Sequence, residues 1–418
     1  MPTQVTVSAP VNIAVVKYWG KRDTSLLLPT NSSLSLTLSQ DDLRSTTTVR
    51  IDALFNKDRL WLNGKEEDAT ANKRMVRVVQ ELRAVRKELQ NKDSSLEALD
   101  EQKMHICSEN NFPTAAGLAS SASGFAALTF GIAHALGIAD KISTADLSRL
   151  ARQGSGSACR SLFGGFVAWN MGINPDGSDS VAEQVADEKH WPDMEALVLV
   201  ASDARKDTPS TAGMQLTIET SDLLRERIAN VVPQRMSDIK TAIVNKNYDA
   251  FAEHTMRDSN QFHAVCLDTF PPITYLNDVS RAVIHLVTAY NNLFTEKSDN
   301  AASSKKGYRA AYTFDAGPNA VLYVRREHVP EILAIVNATF PAPADADKQT
   351  YLGRAAQYVG QEDKTVVSDL LSKIKMAPMP QGSLKRIIST SVGDGPRVLG
   401  WNSEASLLLD NGLPKRTV

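Results

Sequence analysis

Apolar and polar residues alternate over residues 4–9, with Val5, Val7 and Ala9 on one face, and Pro10 ends the run. A period of two predicts a half-buried strand. Residues 12–16 resume as a continuous apolar run, and Leu34, Leu36 and Leu38 alternate again after the turn-forming stretch 28–33. Residues 46–51 and 59–62 are further strand candidates, the second followed by Asn63-Gly64, a hairpin dipeptide. At residues 72–89 the period changes. Met75, Val78, Val79, Leu82, Val85 and Leu89 fall on one helical face, opposite a basic one. Residues 104–107 read as a strand leading into a run of small residues at 110–124, beyond which Phe125, Leu128, Ile132 and Leu136 mark a helix. Ser143-Thr144-Ala145-Asp146 resembles a capping box, opening a short helix that buries Leu147, Leu150 and Ala151.

The second half continues in the same mixed manner. Residues 194–201 are apolar enough for a buried strand, and residues 207–214 are a polar turn entering a helix. Helical spacing covers 223–232, 236–244 and 248–256; Pro271-Pro272 breaks the chain before a helix at 276–293. The charged, Ser/Ala-rich stretch 296–307 predicts a mobile surface insertion. Strands at 310–314 and 320–324 flank Asp315-Ala316-Gly317-Pro318-Asn319, and from 387 onward there is a short strand, a Gly-Asp-Gly-Pro turn and a loose end. Intermixed strands and helices without a repeat predict an α+β class, helices covering mixed sheets. A chain of 418 residues exceeds the usual single core of about 250–300. Two lobes are therefore expected, 1–190 and 191–418, with the boundary in the turn-rich stretch containing Asn174-Pro175-Asp176-Gly177.

Composition narrows the function classes. A formal charge of −2 gives no global pull toward nucleic acid or an anionic membrane, so anions must be bound by local groups. The three cysteines are dispersed, which argues for a reducing compartment and against a disulfide or zinc framework. The seven histidines form no metal-ligand motif, so a protein-caged metal is not expected. No apolar run reaches membrane-spanning length, and no basic-then-apolar leader pattern opens the sequence. The expectation is a cytoplasmic protein without a membrane partner.

Candidate chemistry concentrates in four places. In residues 110–124, small residues let backbone approach a ligand, and free N–H groups at a helix start form a phosphate seat. Close packing of a small-residue helix on a sheet explains the same pattern equally well. Lys17-Tyr18-Trp19-Gly20-Lys21-Arg22-Asp23 sets two aromatics among three cations: a solvated turn, or a pocket for a phosphorylated substrate. Residues 154–165 give a second small-residue turn carrying Arg160, which can fork onto a carboxylate or phosphate or bridge the turn structurally. Asp315 precedes Ala-Gly-Pro, where its side chain could close an Asx-type turn or stand as a base at a strand end. Arg74, on a basic helix face, is by pattern indistinguishable from a solvated cation.

The segment Pro113-x-x-x-Gly117-Leu118-Ala119-Ser120-Ser121-Ala122 resembles the phosphate loop of the GHMP small-molecule kinase superfamily, with Ala119 where that family usually has glycine. It is not a Walker loop, since no Gly-Lys-Ser/Thr follows a Gly-x4 spacing. Residues 17–23, 110–122, 154–165, 213–217 and 312–320 together, in order along nearly the whole chain, resemble the eukaryotic mevalonate diphosphate decarboxylase family. The chain departs from that family at 296–307, at 341–381 and at Gly393-Asp394-Gly395, where Gly-Ser-Gly is usual.

The resemblance implies a two-lobed GHMP architecture, often homodimeric, and ATP-dependent decarboxylation of mevalonate 5-diphosphate to isopentenyl diphosphate. It implies Asp315, Arg160, Lys17 and Ser121 as catalytic residues. The substrate would be held by Asn12, Tyr18, Trp19, Gly20, Lys21, Arg74, Ser155, Gly156, Ser157, Ala158, Cys159, Arg160 and Thr211. ATP would sit on Asn110, Pro113, Ala116, Gly117, Leu118, Ala119, Ser120 and Ser121, and Mg2+ would arrive with the nucleotide rather than on protein ligands. A tertiary hydroxyl is poorly acidic and needs an oriented acceptor, while phosphoryl transfer needs charge clamping, so these residue types suit the reaction. Two rivals stand beside it: a plain kinase that stops at the phosphorylated product, and a catalytically dead nucleotide-binding member.

Overall fold

The strand Thr3–Pro10 lies inside a six-stranded sheet with Val5, Val7 and Ala9 fully buried; Thr6 and Ser8 on its other face are buried too, so it is covered on both sides rather than half-buried as the alternation predicts. The structure is a computed structural model that describes residues 3–112, 120–204, 207–295, 307–401 and 404–416. The order of this first sheet is Arg397–Gly400, Thr3–Pro10, Arg44–Asp52, Lys103–Asn110, Arg59–Leu62, Lys65–Glu67. All neighbours are antiparallel except Arg59–Leu62, which runs parallel to Lys103–Asn110. Asn63 (φ 50°) and Gly64 (φ 85°) join the outer hairpin in the two-residue positive-φ turn that the dipeptide predicts.

Helices Lys73–Lys92, Ser120–Ala135 and Thr144–Gly154 cover this sheet through one apolar cluster that includes Leu82, Ile106, Ala126 and Ile132. Ser143 caps the last of them, accepting from the Asp146 N–H at 3.0 Å. The small residues of Ser120–Ala135 do serve packing: a Cβ on Gly131 would stand 3.1 Å from Val49 and 3.2 Å from Val7. The packing explanation therefore holds for the body of this helix and leaves its first turn to be explained separately.

A second sheet, ordered Ala182–Ala186, Phe166–Trp169, Ser33–Thr37, Asn12–Val16, is antiparallel throughout. A third, ordered Ala310–Phe314, Ala320–Arg325, Met194–Val200, Arg386–Ser391, is likewise antiparallel. Met194–Val200 is buried on both faces. Met194, Ala196, Val198 and Val200 join a core shared with the second sheet and with helices Val232–Val244 and Tyr248–Asp268. Leu197 and Leu199 face the other way, onto helices Asp278–Asn292, Val329–Thr339 and Lys364–Ile374. The class is α+β, as expected.

Several details differ from the periodicity. The helix expected at 248–256 continues to Asp268, since Ser259, Phe262, Val265 and Cys266 keep its buried face going. The two helices expected at 223–232 and 236–244 are one path, Asp222–Glu226 then Val232–Val244, joined by a π-helical turn at Arg227–Val231. Residues 341–381, where the resemblance lapses, form helices Lys348–Leu352 and Lys364–Ile374. The tail does more than hang loose: Arg397–Gly400 pairs with Thr3–Pro10, so the chain returns to the sheet where it began. Nearly all of the insertion expected at 296–307 lies outside the described residues.

Candidate active site

The strand Asn12–Val16 carries a bulge between Ala14 and Val16, so Lys17 leaves the sheet out of register. Bulges re-aim side chains, and here the re-aimed Lys17 ammonium reaches Asp315 Oδ1 at 2.6 Å and the Ala14 carbonyl at 2.6 Å. The lysine side chain is 3% exposed and that of Asp315 30%, so the pair stands with its acid toward open space. The turn after Phe314 is closed by main chain, Gly317 N–H to Asp315 O at 2.7 Å, while the carboxylate points to Lys17.

Arg160 rides on the 3-10 turn Gly156–Leu162 and is buried. Its Nε donates to Ser35 Oγ (2.9 Å) and Asn12 Oδ1 (3.3 Å), and Nη1 to Ser33 Oγ (2.5 Å). Asn12 in turn donates to Ser161 Oγ at 2.7 Å and Ser157 O at 3.0 Å. Neutral oxygens thus orient the guanidinium without cancelling its charge. Burial pulls the Arg160 pKa down, opposed by Cys159, Asp315 and Tyr18.

Cations gather beyond Arg160. Tyr18 packs edge-on against Trp169 at 4.7 Å, and its buried hydroxyl has no hydrogen-bond partner among the described residues. Burial raises its pKa, while Arg160, Arg74 and Arg152 lower it. Lys21, half-buried, is pulled down by burial and then by neighbouring Arg74, and neither has an ion-pair partner among the described residues. Arg152 was not singled out in the sequence. It donates to the carbonyls of Gly177 (3.0 Å) and Ser180 (2.6 Å), and burial takes its pKa down to about 10. Gly156 makes room here, for a Cβ on it would come within 2.9 Å of both Trp169 and Tyr18.

Hydroxyls link this cluster to the first turn of Ser120–Ala135. Ser121, in the first turn of Ser120–Ala135, lies 3.3 Å from Ser155 Oγ, which lies 3.4 Å from Ser157 Oγ. Pro113, Ala116, Gly117, Leu118 and Ala119 lie outside the described residues. Asn110 ends its strand with Oδ1 accepting from Ser45 Oγ at 2.5 Å. Beside Asn110, Ser120 and Ser121 opens a cavity of about 260 Å³, walled by Leu60, Leu62, Met75 and Leu128 and rimmed by Asn63 and Ser108. Nothing in the apolar pattern selects these wall residues, because each reads as ordinary core; the hairpin dipeptide beside them was the available pointer.

The other expected residues are more peripheral. Trp19 is 1% exposed, stacked edge-on with Phe262 and Tyr275, its indole N–H donating to Thr217 at 3.0 Å. Gly20 holds a positive φ of 95° against Thr30. Ala158 and Cys159 are buried, and burial pushes the Cys159 thiol up to about 12. Thr211 is exposed in the first turn of Ser210–Thr220. His263 packs behind Phe314; burial first, then the Lys17 charge, drives its pKa down to about 3, so the ring is neutral. No three His, Cys, Asp or Glu side chains cluster as a metal cage among the described residues.

Residues 9–182 match a family model for the diphosphomevalonate decarboxylase-like N-terminal domain, and residues 196–399 one for the mevalonate 5-diphosphate decarboxylase C-terminal domain. A diphosphomevalonate decarboxylase from Ganoderma lucidum is 54% identical over 99% of both chains.

The chain belongs to the diphosphomevalonate decarboxylase family.

A crystal structure of mevalonate 5-diphosphate decarboxylase superposes with a TM-score of 0.82 at 46% identity, covering 98% of this chain and 99% of that one. A second solved structure, described as a complex with MVAPP, AMPPCP and magnesium, is 29% identical with a TM-score of 0.71, covering 96% and 99%. The GHMP-kinase-like architecture of these decarboxylases is that of the present chain.

Proposed function

We propose that Asp315, gripped by Lys17, accepts the hydrogen bond of the tertiary hydroxyl of mevalonate 5-diphosphate and orients it toward the γ-phosphoryl of ATP. The enzyme is a carboxy-lyase, converting mevalonate 5-diphosphate and ATP into isopentenyl diphosphate, ADP, phosphate and carbon dioxide. The observation that carries the assignment of Asp315 is its 2.6 Å contact with Lys17 at a strand end facing open space, with Arg160 close enough to feel its charge.

Phosphorylation makes the hydroxyl oxygen a leaving group. As phosphate departs, positive charge builds on the tertiary carbon; the C–C bond to the carboxylate then breaks and its electron pair becomes the alkene. Arg160 has one Nη1 proton and both Nη2 protons uncommitted among the described residues, enough to hold the carboxylate bidentately until that step. Lys21, Arg74 and the Tyr18 hydroxyl bind the diphosphate, with the buried Arg152 charge behind them. Asn12, Ser155, Gly156, Ser157, Ala158 and Cys159 shape the pocket, Trp19 and Gly20 hold its wall, and Thr211 closes it from the helix opposite. Ser120, Ser121, Asn110 and the loop 113–119 seat the ATP phosphates, and the 260 Å³ cavity takes the base.

Mg2+ fits as a nucleotide-borne ion, since a hard cation that keeps water and phosphate oxygens needs only hydroxyls such as Ser121 and Ser155 nearby; bound, it would neutralise charge developing on the transferred phosphoryl. We further place the enzyme in the cytoplasm, as a homodimer, with two working lobes divided near residue 190. Among the described residues no helix is long and apolar enough to cross a membrane. Sedimentation of the purified chain tests the dimer.

Product analysis with carboxyl-labelled mevalonate diphosphate tests the reaction. Labelled carbon dioxide and isopentenyl diphosphate should form one-to-one with ADP. A phosphorylated product that retains its label would mark a kinase, and bound nucleotide without turnover would mark an inactive member.

A further inference from the structure

Beyond its bulge, Lys17 has no sheet neighbour to satisfy its main chain, and buried N–H and C=O groups must be paired. The structure satisfies both with side chains from far along the sequence. The Lys17 N–H donates to Asp258 Oδ2 at 2.7 Å, and its carbonyl accepts from Arg227 Nη2 and from Asn31 Nδ2, each at 3.0 Å. Asp258 and Arg227 are themselves an ion pair at 2.9 Å, both side chains 0% exposed, with Arg235 adding a second cation at 3.1 Å. The guanidiniums hold the Asp258 carboxyl below its usual range despite burial.

The same helical turn holds the other half of the catalytic pair. Ser259 Oγ accepts the Phe314 N–H at 3.0 Å, one residue before Asp315, and Asn260 Oδ1 accepts the Tyr312 hydroxyl at 3.0 Å. Two consecutive residues of one helix, Asp258 and Ser259, therefore hold the backbone on which Lys17 and Asp315 are mounted, and the next, Asn260, holds the Tyr312 side chain. Arg227 sits at the start of the π-helical turn Arg227–Val231, a distortion that often marks functional positions because it re-aims a side chain.

We infer that the buried Asp258–Arg227 pair is a positioning device for the known reaction, locking the Lys17 main chain so that its ammonium stands on Asp315. This rests on Lys17 and Asp315 being the catalytic pair. Neither Asp258 nor Arg227 touches the reacting atoms; they act through the backbone of Lys17. Replacing both members of a buried ion pair with apolar residues of similar size often preserves folding, whereas removing one leaves an uncompensated charge. Arg235, partly exposed, can then turn to water.

The test is a mutant cycle on the full-length enzyme: Asp258→Leu/Arg227→Met in the parent and in a Lys17→Met background, measuring kcat, both KM values and thermal melting. In the parent the double exchange should lower kcat about 10- to 50-fold with KM values within about 3-fold, because geometry rather than binding is disturbed. In the Lys17→Met background the same exchange should cost less than about 2-fold, since there is no ammonium left to misplace. Equal losses in both backgrounds, or an unchanged parent kcat, would overturn the positioning role while leaving the catalytic pair intact. A parent-like kcat in Lys17→Met alone would instead reject the catalytic pair, and the inference with it. Should the double exchange not fold, Asp258→Asn keeps the shape and one acceptor, and is expected to lose about 3- to 10-fold with the same dependence on Lys17.

Discussion

The two ends of the pocket are built on opposite plans. At the Lys17–Asp315 end the ammonium and carboxylate already hold each other, and the Lys17 backbone is gripped on both sides. Among the described residues, the cations at the Lys21–Arg74 end have no counter-ion and the buried Tyr18 hydroxyl has no hydrogen-bond partner. The first end is arranged before any ligand arrives; the second, in the proposed mechanism, is the one a multiply charged anion completes. Groups that must be in place in a transition state gain from preorganisation, whereas groups that capture a substrate gain from unsatisfied charge.

The sharpest break in this contrast is Asp315→Asn, which keeps shape and an acceptor oxygen but loses basicity. Steady-state kinetics should show kcat falling by about 10²–10⁴-fold, the usual range for a positioned base, with KM values little changed. Turnover near the parent rate would return Asp315 to a turn-forming role. Next comes Arg160→Lys. The charge survives but the fork to Ser33, Ser35 and the substrate carboxylate does not, so kcat/KM should drop by about 10- to 100-fold. A variant with near-parent kcat/KM would make Arg160 a structural bridge of its turn.

At the cationic end the response should be of a different kind. Arg74→Ala should raise the KM for the diphosphate substrate about 10-fold while kcat stays within about 3-fold, and the difference should shrink as salt is added. A kcat loss instead would erase the distinction between the ends. Ser121→Ala should raise the KM for ATP about 3- to 10-fold without lowering the melting temperature. Unchanged kinetics with a stability loss of about 1 kcal/mol would make that hydroxyl a helix cap.

The smallest effect concerns pH and stability. With a pKa near 3 in the folded state, against 6.5 for the free side chain, His263 stays neutral while its unfolded counterpart takes up a proton. Above pH 6.5 the group contributes nothing; as pH falls toward 3, stability is lost. His263→Asn should flatten the acid limb of a denaturation curve by up to one proton, and an unchanged slope would show that the ring titrates normally.

What was legible in the sequence was legible locally. Alternation placed Val5, Val7 and Ala9; Asn63-Gly64 announced a hairpin; Ser143 announced a cap. The motifs pointed to Lys17, Arg160 and Asp315; Lys17 and Asp315 meet at 2.6 Å, and Arg160 lies near enough to feel the Asp315 charge. What escaped notice joins distant positions. Asp258 grips a residue 241 positions earlier, and nothing in the helical spacing around it separates that carboxylate from a solvated one. Arg152 carries no signal in the sequence; burial against the carbonyls of Gly177 and Ser180 sets it apart. The cavity walls escaped because Leu60, Leu62 and Met75 are apolar residues in apolar patterns, and only the third dimension leaves a gap between them.

The pairing of Arg397–Gly400 with Thr3–Pro10 bears on how the molecule is made. Thr3–Pro10 needs, on one side, a partner synthesised much later, at Arg397–Gly400. At synthesis rates of about 5–20 residues per second, that edge stands open for roughly 15–60 s after Lys103–Asn110 has made the rest of the sheet available to form. An unpaired edge is where a nascent chain is open to strand addition by its neighbours. The four residues Arg397–Gly400 complete the ladder only long after its other strands exist.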